Sequence, residues 1–327
     1  MLVVPEAVAA RLVSVDDAIE AVAAAFAAAD RGTARSFPVV REAVGHSDAV
    51  FGVKTGFDGE GAGAGPVLGL KAGGYWPGNG AMGIANHQST TLLFDPETGR
   101  PAALVGANRL TGLRTGAAAA IAIRHLARPD AGTLGLIGAG GQAEHQVRAA
   151  CAVRPIRRLI ASDPSEAALV RLARLAADLN LAFETADPAA VAAESDVLTT
   201  VTPSRAPLFM ADAVRPGTHV NAMGTDTAGK QEHDPALVAA AAVYVDDPEQ
   251  AVTIGECQHA AGAGLIARDR FAGTLGGLAS GRLAPTWSPE RVTLFDGTGV
   301  ALQDLAVCAL AWRRASQAGE GVEVAFS

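Results

Sequence analysis

One stretch constrains the fold of this chain more than any other: Thr133-Leu-Gly-Leu-Ile-Gly138-Ala-Gly140-Gly141-Gln-Ala143. It reads as a buried parallel strand, a glycine turn and the opening of a helix. Gly138 permits the tight turn, Gly140 lets the backbone come close to a pyrophosphate, and Ala143 is small enough for the helix to pack on its strand. The helix N-terminus attracts the phosphates. In a chain with 37 glycines such a pattern also arises by chance. Its context argues otherwise. The next apolar strand, Arg158-Leu-Ile-Ala-Ser-Asp163, ends in an acid at the distance where a ribose-binding carboxylate belongs.

That acid bears on the choice of dinucleotide. A carboxylate accepts hydrogen bonds from both ribose hydroxyls and repels a 2′-phosphate. Pro164, Ser165 and Glu166 follow Asp163, and the next arginine is Arg171, so NAD(H) is expected over NADP(H). Asp163 also fits a simple cap on the following helix, and Arg157 and Arg158 precede the strand end.

The chain has 327 residues, enough for two domains of ordinary size, and 49% of them are hydrophobic. A net charge of −8 argues against a nucleic-acid groove. No apolar run approaches the ~20 residues of a membrane span, and Met1-Leu-Val-Val-Pro-Glu has no signal-peptide pattern. Cys151, Cys257 and Cys308 are far apart and odd in number, which fits a reducing, cytoplasmic setting without a disulfide framework.

Ser14-Val-Asp-Asp-Ala-Ile-Glu-Ala-Val-Ala-Ala-Ala-Phe26 reads as a capped amphipathic helix. From Phe37 to Phe94 the pattern becomes short strands broken by glycines, including Ala49–Lys54, Val67–Lys71 and Ser89–Phe94. Asp95-Pro-Glu-Thr-Gly99 is a turn, and Pro101–Val105 completes a hairpin. A small-residue helix is expected through Leu126, starting near Arg114. Beyond residue 132, strands near 133–138, 158–162, 197–201, 219–223 and 243–245 alternate with helices, as a doubly wound sheet requires. After Val292-Thr-Leu-Phe295, a last helix from Leu302 to Ala315 packs back on the N-terminal part. The expected architecture is α/β: a Rossmann-type doubly wound domain over 128–299, and a discontinuous α+β substrate and dimerisation domain from 1–127 and 300–327.

Three motifs look equipped for chemistry beside a nicotinamide. Lys71 ends an apolar strand before Ala-Gly-Gly-Tyr-Trp-Pro-Gly-Asn79; Arg114 stands in Leu110-Thr-Gly-Leu-Arg114-Thr-Gly-Ala; Asp226 follows a strand in Val220-Asn-Ala-Met-Gly224-Thr-Asp226. An arginine at a helix start opposes the helix dipole, which suggests that it is aimed at an anion. Arg114 is suited to clamping a carboxylate bidentately, Lys71 to adding a point charge, and Asp226 to managing an amine or imine proton. Each also has a plainer reading: a strand-edge lysine, a surface ion pair, a turn cap. Glu256-Cys257-Gln-His259 invites a metal, but no matching Cys/His pair accompanies it, and no metal is expected.

Together these motifs and Gly138-Ala-Gly-Gly-Gln-Ala143 resemble the ornithine cyclodeaminase/μ-crystallin family, from the N-terminal helix to Leu302-Gln-Asp-Leu305. The most specific match is Arg114-Thr-Gly-Ala with Lys71 upstream and Gly224-Thr-Asp226-Thr-Ala-Gly-Lys-Gln-Glu232 downstream. The resemblance implies a homodimer, a substrate domain made from both chain ends, and a dinucleotide lying across a cleft. It implies that Lys71 and Arg114 bind an α-carboxylate and that Asp226 is the acid/base at the substrate nitrogen, so that Lys71 and Asp226 are the catalytic candidates. Arg41, in Phe37-Pro-Val-Val-Arg41-Glu, matches a further substrate-contacting arginine. The cofactor contacts expected are Arg114, Thr115, Gly138, Ala139, Gly140, Gly141, Gln142, Ala143, Asp163, Thr202, Met223 and Gly224.

Within the family, the segments around Arg41, Lys71, His87, Asp226 and Glu256 resemble members that reduce an imino dicarboxylate. This implies NADH-dependent conversion of iminosuccinate to L-aspartate. Such a substrate needs a second cationic contact, for which Arg41 and His87 are the candidates; His87 also fits a structural hydrogen-bonding role. Reduction of a cyclic imine, an alanine dehydrogenase-like reaction with pyruvate and ammonia, and ornithine cyclodeamination are the alternatives within the family. A non-catalytic dinucleotide-dependent binding protein is the alternative class.

Overall fold

Local chemistry starts the N-terminal region as its sequence dictates. β1 (Leu2–Val4) leads into α1 (Glu6–Leu12) and α2 (Val15–Asp30). Ser14 caps α2 by accepting the Asp17 N–H, while the Asp17 carboxylate accepts the Ser14 N–H. The computed structural model describes residues 1–45 and 47–326. β2 (Ala34–Ser36), β3 (Val40–Ala43), β4 (Val50–Asp58), β5 (Val67–Tyr75), β6 (His87–Phe94) and β7 (Pro101–Gly106) follow, then α3 (Asn108–Leu126).

Two expectations need correction here. Glycines do not break the strands: β4 and β5 run nine residues each, with Gly52, Gly56, Gly69 and Gly73 inside them. At Gly56 and Gly69 the missing side chain makes room for a helix, since a Cβ on Gly69 would meet Leu305 at 2.8 Å and one on Gly56 would meet Ala301 at 3.3 Å. α3 starts at Asn108 rather than near Arg114. The Glu6 carboxylate accepts the N–H groups of Asn108 (2.9 Å) and Arg109 (2.7 Å), so a residue distant in sequence caps the helix. Arg114 lies well inside α3, and its placement therefore says nothing about the helix dipole.

The second region alternates strand and helix: β8 (Thr133–Ile137), α4 (Ala143–Val153), β9 (Arg158–Ser162), α5 (Glu166–Asp178), β10 (Ala182–Thr185), α6 (Pro188–Glu194), β11 (Val197–Thr200), β12 (His219–Ala222), α7 (Pro235–Ala240), β13 (Ala242–Val245), α8 (Pro248–Thr253), α9 (Cys257–Gly262), β14 (Gly273–Thr274), α10 (Leu275–Ala279) and β15 (Thr293–Asp296). The chain closes with α11 (Ala301–Ala318) and β16 (Val322–Glu323).

The molecule divides into two units: Met1–Arg114 with the chain from Val300 onward, and Thr115–Gly299. The division falls inside α3; residue 127, where the sequence reading placed it, lies just past the end of that helix. In the first unit a sheet ordered β16-β1-β7-β6-β5-β4-β2, with β3 also on β4, carries α11 and α2 on one face. In the second, the sheet β10-β9-β8-β11-β12-β15-β13-β14 is parallel throughout. Leu134, Leu136, Leu159, Ile160, Leu198 and Phe295 are fully buried in it, as expected for strands covered on both faces. The strand order reverses direction between β8 and β11, the switch point where such sheets bind ligands at their strand ends.

Candidate active site

The first unit gathers cations on the α11 face of its sheet, which is antiparallel except where β1 runs parallel to β7. Residues directly opposite across a ladder share a face, so register alone aligns them. Lys71 on β5 is opposite Lys54 on β4 and Thr91 on β6. The adjacent row is Arg41, Gly52, Gly73 and Ser89, and the next pairs Tyr75 with His87. Lys71 Nζ donates to Asp304 Oδ1 at 3.1 Å and to Thr111 Oγ1 at 2.7 Å. Arg114 Nε donates to the same Asp304 oxygen at 3.0 Å, and its Nη1 donates to Gln303 Oε1 at 3.0 Å. All three charged groups are at most 9% exposed.

Their electrostatics follow from that burial. Burial alone would raise the Asp304 carboxyl, but Arg114, Lys71 and Lys54 outweigh it and hold it at about 2. Burial lowers Lys71 to about 8 against the pull of Asp304, with Arg114 adding to the lowering. Burial, with the charges of Arg114, Lys71 and Arg41, lowers Lys54 to about 7. His87 falls to about 4 through burial and the charges of Lys71, Arg114 and Lys54, so it is neutral near pH 7 and offers a hydrogen bond rather than a charge. Lys54, Thr111, Gln303 and Asp304 are members of this cluster for which the sequence analysis had no role. An isolated lysine between glycines signals little until the strand register is known.

The second unit presents the glycine turn. Gly138 has φ +103°, and a Cβ there would meet Val201 O at 2.7 Å, so glycine is required by backbone conformation and by packing. At Gly140 and Gly141 a Cβ would meet no protein atom within 4 Å. The protein's own packing makes no demand for glycine there, whereas a ligand lying on the turn would. Ala143 is buried at the start of α4. Asp163, just past β9, accepts the Ala139 N–H at 2.6 Å and the Ser165 N–H at 2.8 Å. The cap of α5 is Ser165, not Asp163. This glycine turn, open at Gly140 and tied to a strand-end carboxylate, fits a dinucleotide.

The strand ends beyond the switch point are held by a buried acid that sequence reasoning quoted but did not interpret. Glu232 accepts the Thr202 N–H (2.6 Å), the Gly224 N–H (2.9 Å) and the Thr200 hydroxyl (2.9 Å). It thereby clamps the loops after β11 and β12. Burial and the Glu256 carboxylate push Glu232 up to about 7. Glu256 in turn accepts the N–H groups of Glu232 and His233 and the Thr225 hydroxyl. Met223 is mostly buried and its N–H donates to Thr200 O. Asp226 is more open, with Lys230 Nζ 2.8 Å from Oδ1 and the Thr227 hydroxyl at 3.2 Å. Among the described residues no group of three or more His, Cys, Asp or Glu is placed to hold a metal; the Glu256 carboxylate accepts the hydrogen bonds from Glu232, His233 and Thr225, and His259 Nε2 donates to Lys230 O at 2.9 Å.

The expected residues thus assemble in two sets. Arg41, Lys71, His87 and Arg114 share the first unit, while Thr115, Gly138–Ala143, Asp163, Thr202, Met223, Gly224 and Asp226 belong to the second.

A parallel sheet with this turn, on one chain with a cation-bearing, mainly antiparallel sheet, defines a Rossmann-type dinucleotide-binding α/β protein. The chain belongs to the ornithine cyclodeaminase/mu-crystallin family, whose model matches residues 1–319. It is 50% identical over 324 residues to the iminosuccinate reductase of Paracoccus denitrificans, covering 99% of each chain. The crystal structure of that reductase in complex with NAD+ superposes with a TM-score of 0.92 over 100% of this chain and 99% of the other. A Thermococcus litoralis Delta(1)-pyrroline-2-carboxylate reductase in complex with NADH and L-proline is 27% identical, with a TM-score of 0.94 over 99% of this chain and 100% of the other. An archaeal alanine dehydrogenase dimer with bound NAD is 33% identical, with a TM-score of 0.93 over 100% and 99% of the two chains.

Proposed function

We propose that this protein is an NADH-dependent imine reductase that converts iminosuccinate to L-aspartate. The observation that carries the reading is the buried arrangement in which Lys71 and Arg114 share one oxygen of Asp304, on a chain that also holds a dinucleotide turn. A preset pair of cations is equipment for orienting a carboxylate. The 50% identity to a reductase of iminosuccinate selects the acid.

Arg114 presents its planar guanidinium to the α-carboxylate and Lys71 adds a compact charge. Fixing the substrate this way removes orientational freedom, which in the best-oriented systems lowers a barrier by roughly 7–11 kcal/mol. Asp226 holds a proton at the imine nitrogen, and protonation there makes the imine carbon a better acceptor. NADH supplies the hydride when bound. The turn Gly138, Ala139, Gly140, Gly141, Gln142 and Ala143 would hold its pyrophosphate and Asp163 its ribose hydroxyls, with Thr115, Thr202, Met223 and Gly224 completing the contacts.

We also read the protein as a cytoplasmic homodimer serving aspartate formation. The free thiols Cys151, Cys257 and Cys308 suit a reducing compartment. The sheet face opposite α11 carries Leu70, Leu92 and Leu104 in one cross-strand row, none fully covered within its own unit, and a second copy would bury them.

The test is NADH oxidation by the purified protein with oxaloacetate and ammonium, with L-aspartate identified by chiral chromatography. Formation of L-aspartate is expected. Turnover with pyruvate and ammonium or with Δ1-pyrroline-2-carboxylate, but not with the four-carbon acid, would overturn the substrate. NADH binding without turnover of any imine would make the protein a ligand-binding member of the family.

A further inference from the structure

Lys54 stands outside the roles assigned so far, yet the fold places it beside the residues that hold the α-carboxylate. It faces Lys71 directly across the β4–β5 ladder, and cross-strand partners have Cβ atoms roughly 5 Å apart. Two carboxyl groups separated by a two-carbon chain match such a pair of anchors. One row further, Gly52 and Gly73 add no side chains to the same face, between Arg41 and Ser89. α11 reaches this region with its first turn, which carries Asp304, and a helix N-terminus favours anions.

The chemistry of the two lysines differs. Lys71 is anchored by Asp304 and Thr111. Lys54 is less buried and feels the charges of Arg114 on α3, Asp304 on α11, Lys71 on β5 and Arg41 on β3. A second anion entering beside it would offset the repulsion among these cations and stabilise its charged form. A monocarboxylic imino acid brings no such anion.

We infer that Lys54 binds the second carboxylate of a dicarboxylic imino acid and sets the preference for that class over monocarboxylic imines. This rests on the imine-reductase reading, deepens it, and differs from the expectation that Arg41 or His87 makes the second contact. His87 is neutral under working conditions, and Arg41 lies one row away from the lysine pair.

The test uses non-reacting probes so that binding is read apart from turnover. Affinities of the NAD+-bound protein for succinate and for butyrate are measured by calorimetry in the native protein, Lys54→Met and Lys54→Arg. Lys54→Met should weaken succinate by roughly thirtyfold or more, the low end for truncating one partner of a desolvated charge pair, and leave butyrate within about twofold of native. Lys54→Arg, which keeps the charge and checks that the strand tolerates substitution, should recover much of the succinate affinity. Unchanged succinate binding in Lys54→Met, or an equal loss for both acids, overturns the assignment. Kinetics on the same variants keep the two readings apart. Native turnover of iminosuccinate with an unaltered dicarboxylate preference in Lys54→Met defeats the Lys54 role alone, whereas absent native turnover with selective succinate binding defeats the reductase reading alone.

Discussion

Asp304 Oδ1 accepts Arg114 Nε at 3.0 Å and Lys71 Nζ at 3.1 Å, so one buried oxygen aligns a guanidinium from α3 and an ammonium from β5. The carboxylate offsets part of the cost of burying two cations. It also keeps Lys71 from being lowered further than about 8.

Asp304→Asn should therefore act on both stability and pH dependence. Breaking a buried ion pair on one side costs about 3–5 kcal/mol, read as a lower midpoint in urea. The sign of the pH effect follows from the lysines. Lys71 is charged below about 8 and neutral above it, and Lys54 changes over at about 7. Native affinity for succinate should fall as pH rises from 6 to 9. Without the Asp304 charge Lys71 loses its proton at lower pH, and the fall should begin earlier. A succinate inhibition constant flat across this range in the native protein contradicts the account.

Asp226 offers a second, separable measurement. Its ion pair with Lys230 is partly exposed and contributes little to stability, so Asp226→Asn should fold normally and keep NADH affinity by fluorescence titration. Loss of a general acid typically costs 10²–10⁴ in rate, and the pH profile of kcat should lose a limb. Near-native kcat with an unchanged profile would remove Asp226 from the mechanism.

Cofactor preference tests Asp163. The native protein should favour NADH over NADPH in kcat/KM. Asp163→Ser removes the charge that repels a 2′-phosphate while keeping an acceptor near the Ala139 N–H. The preference should narrow by at least about tenfold, the size of one lost charged hydrogen bond. Equal use of both cofactors by the native protein would show that Asp163 serves only to brace the turn.

Assembly can be tested on the leucine row of the first unit. Light scattering at micromolar concentration should give twice the 33.0 kDa chain mass. Leu92→Glu places a charge in the middle of the Leu70–Leu92–Leu104 row and should shift the protein toward monomer. A native monomer with full activity rules out the dimer.

The features legible in the sequence are those encoded locally. The strand, turn and helix at 133–143 follow from a short run of residues whose conformational demands are met within that run, and φ +103° at Gly138 is a direct consequence. The Ser14 cap and the alternation of strands and helices after residue 132 belong to the same kind. Arg114 and Lys71 stood out as chemistry-bearing residues, but the reason offered for Arg114, a place at a helix start, failed because Glu6 caps α3 six residues earlier from across the unit.

What only the tertiary structure decided is which charges meet. Lys54 faces Lys71 because of the β4–β5 register, and register depends on which sheet face α11 covers, through glycines that read in sequence as strand breakers. Asp304 reaches Lys71 and Arg114 from the far end of the chain, and Glu232 clamps two loops thirty and eight residues away from it. A carboxylate's partner in a buried site is set by the three-dimensional path of the backbone and by the removal of water around the pair. Neither is a property of neighbouring residues along the chain, so no reading of local pattern contains it.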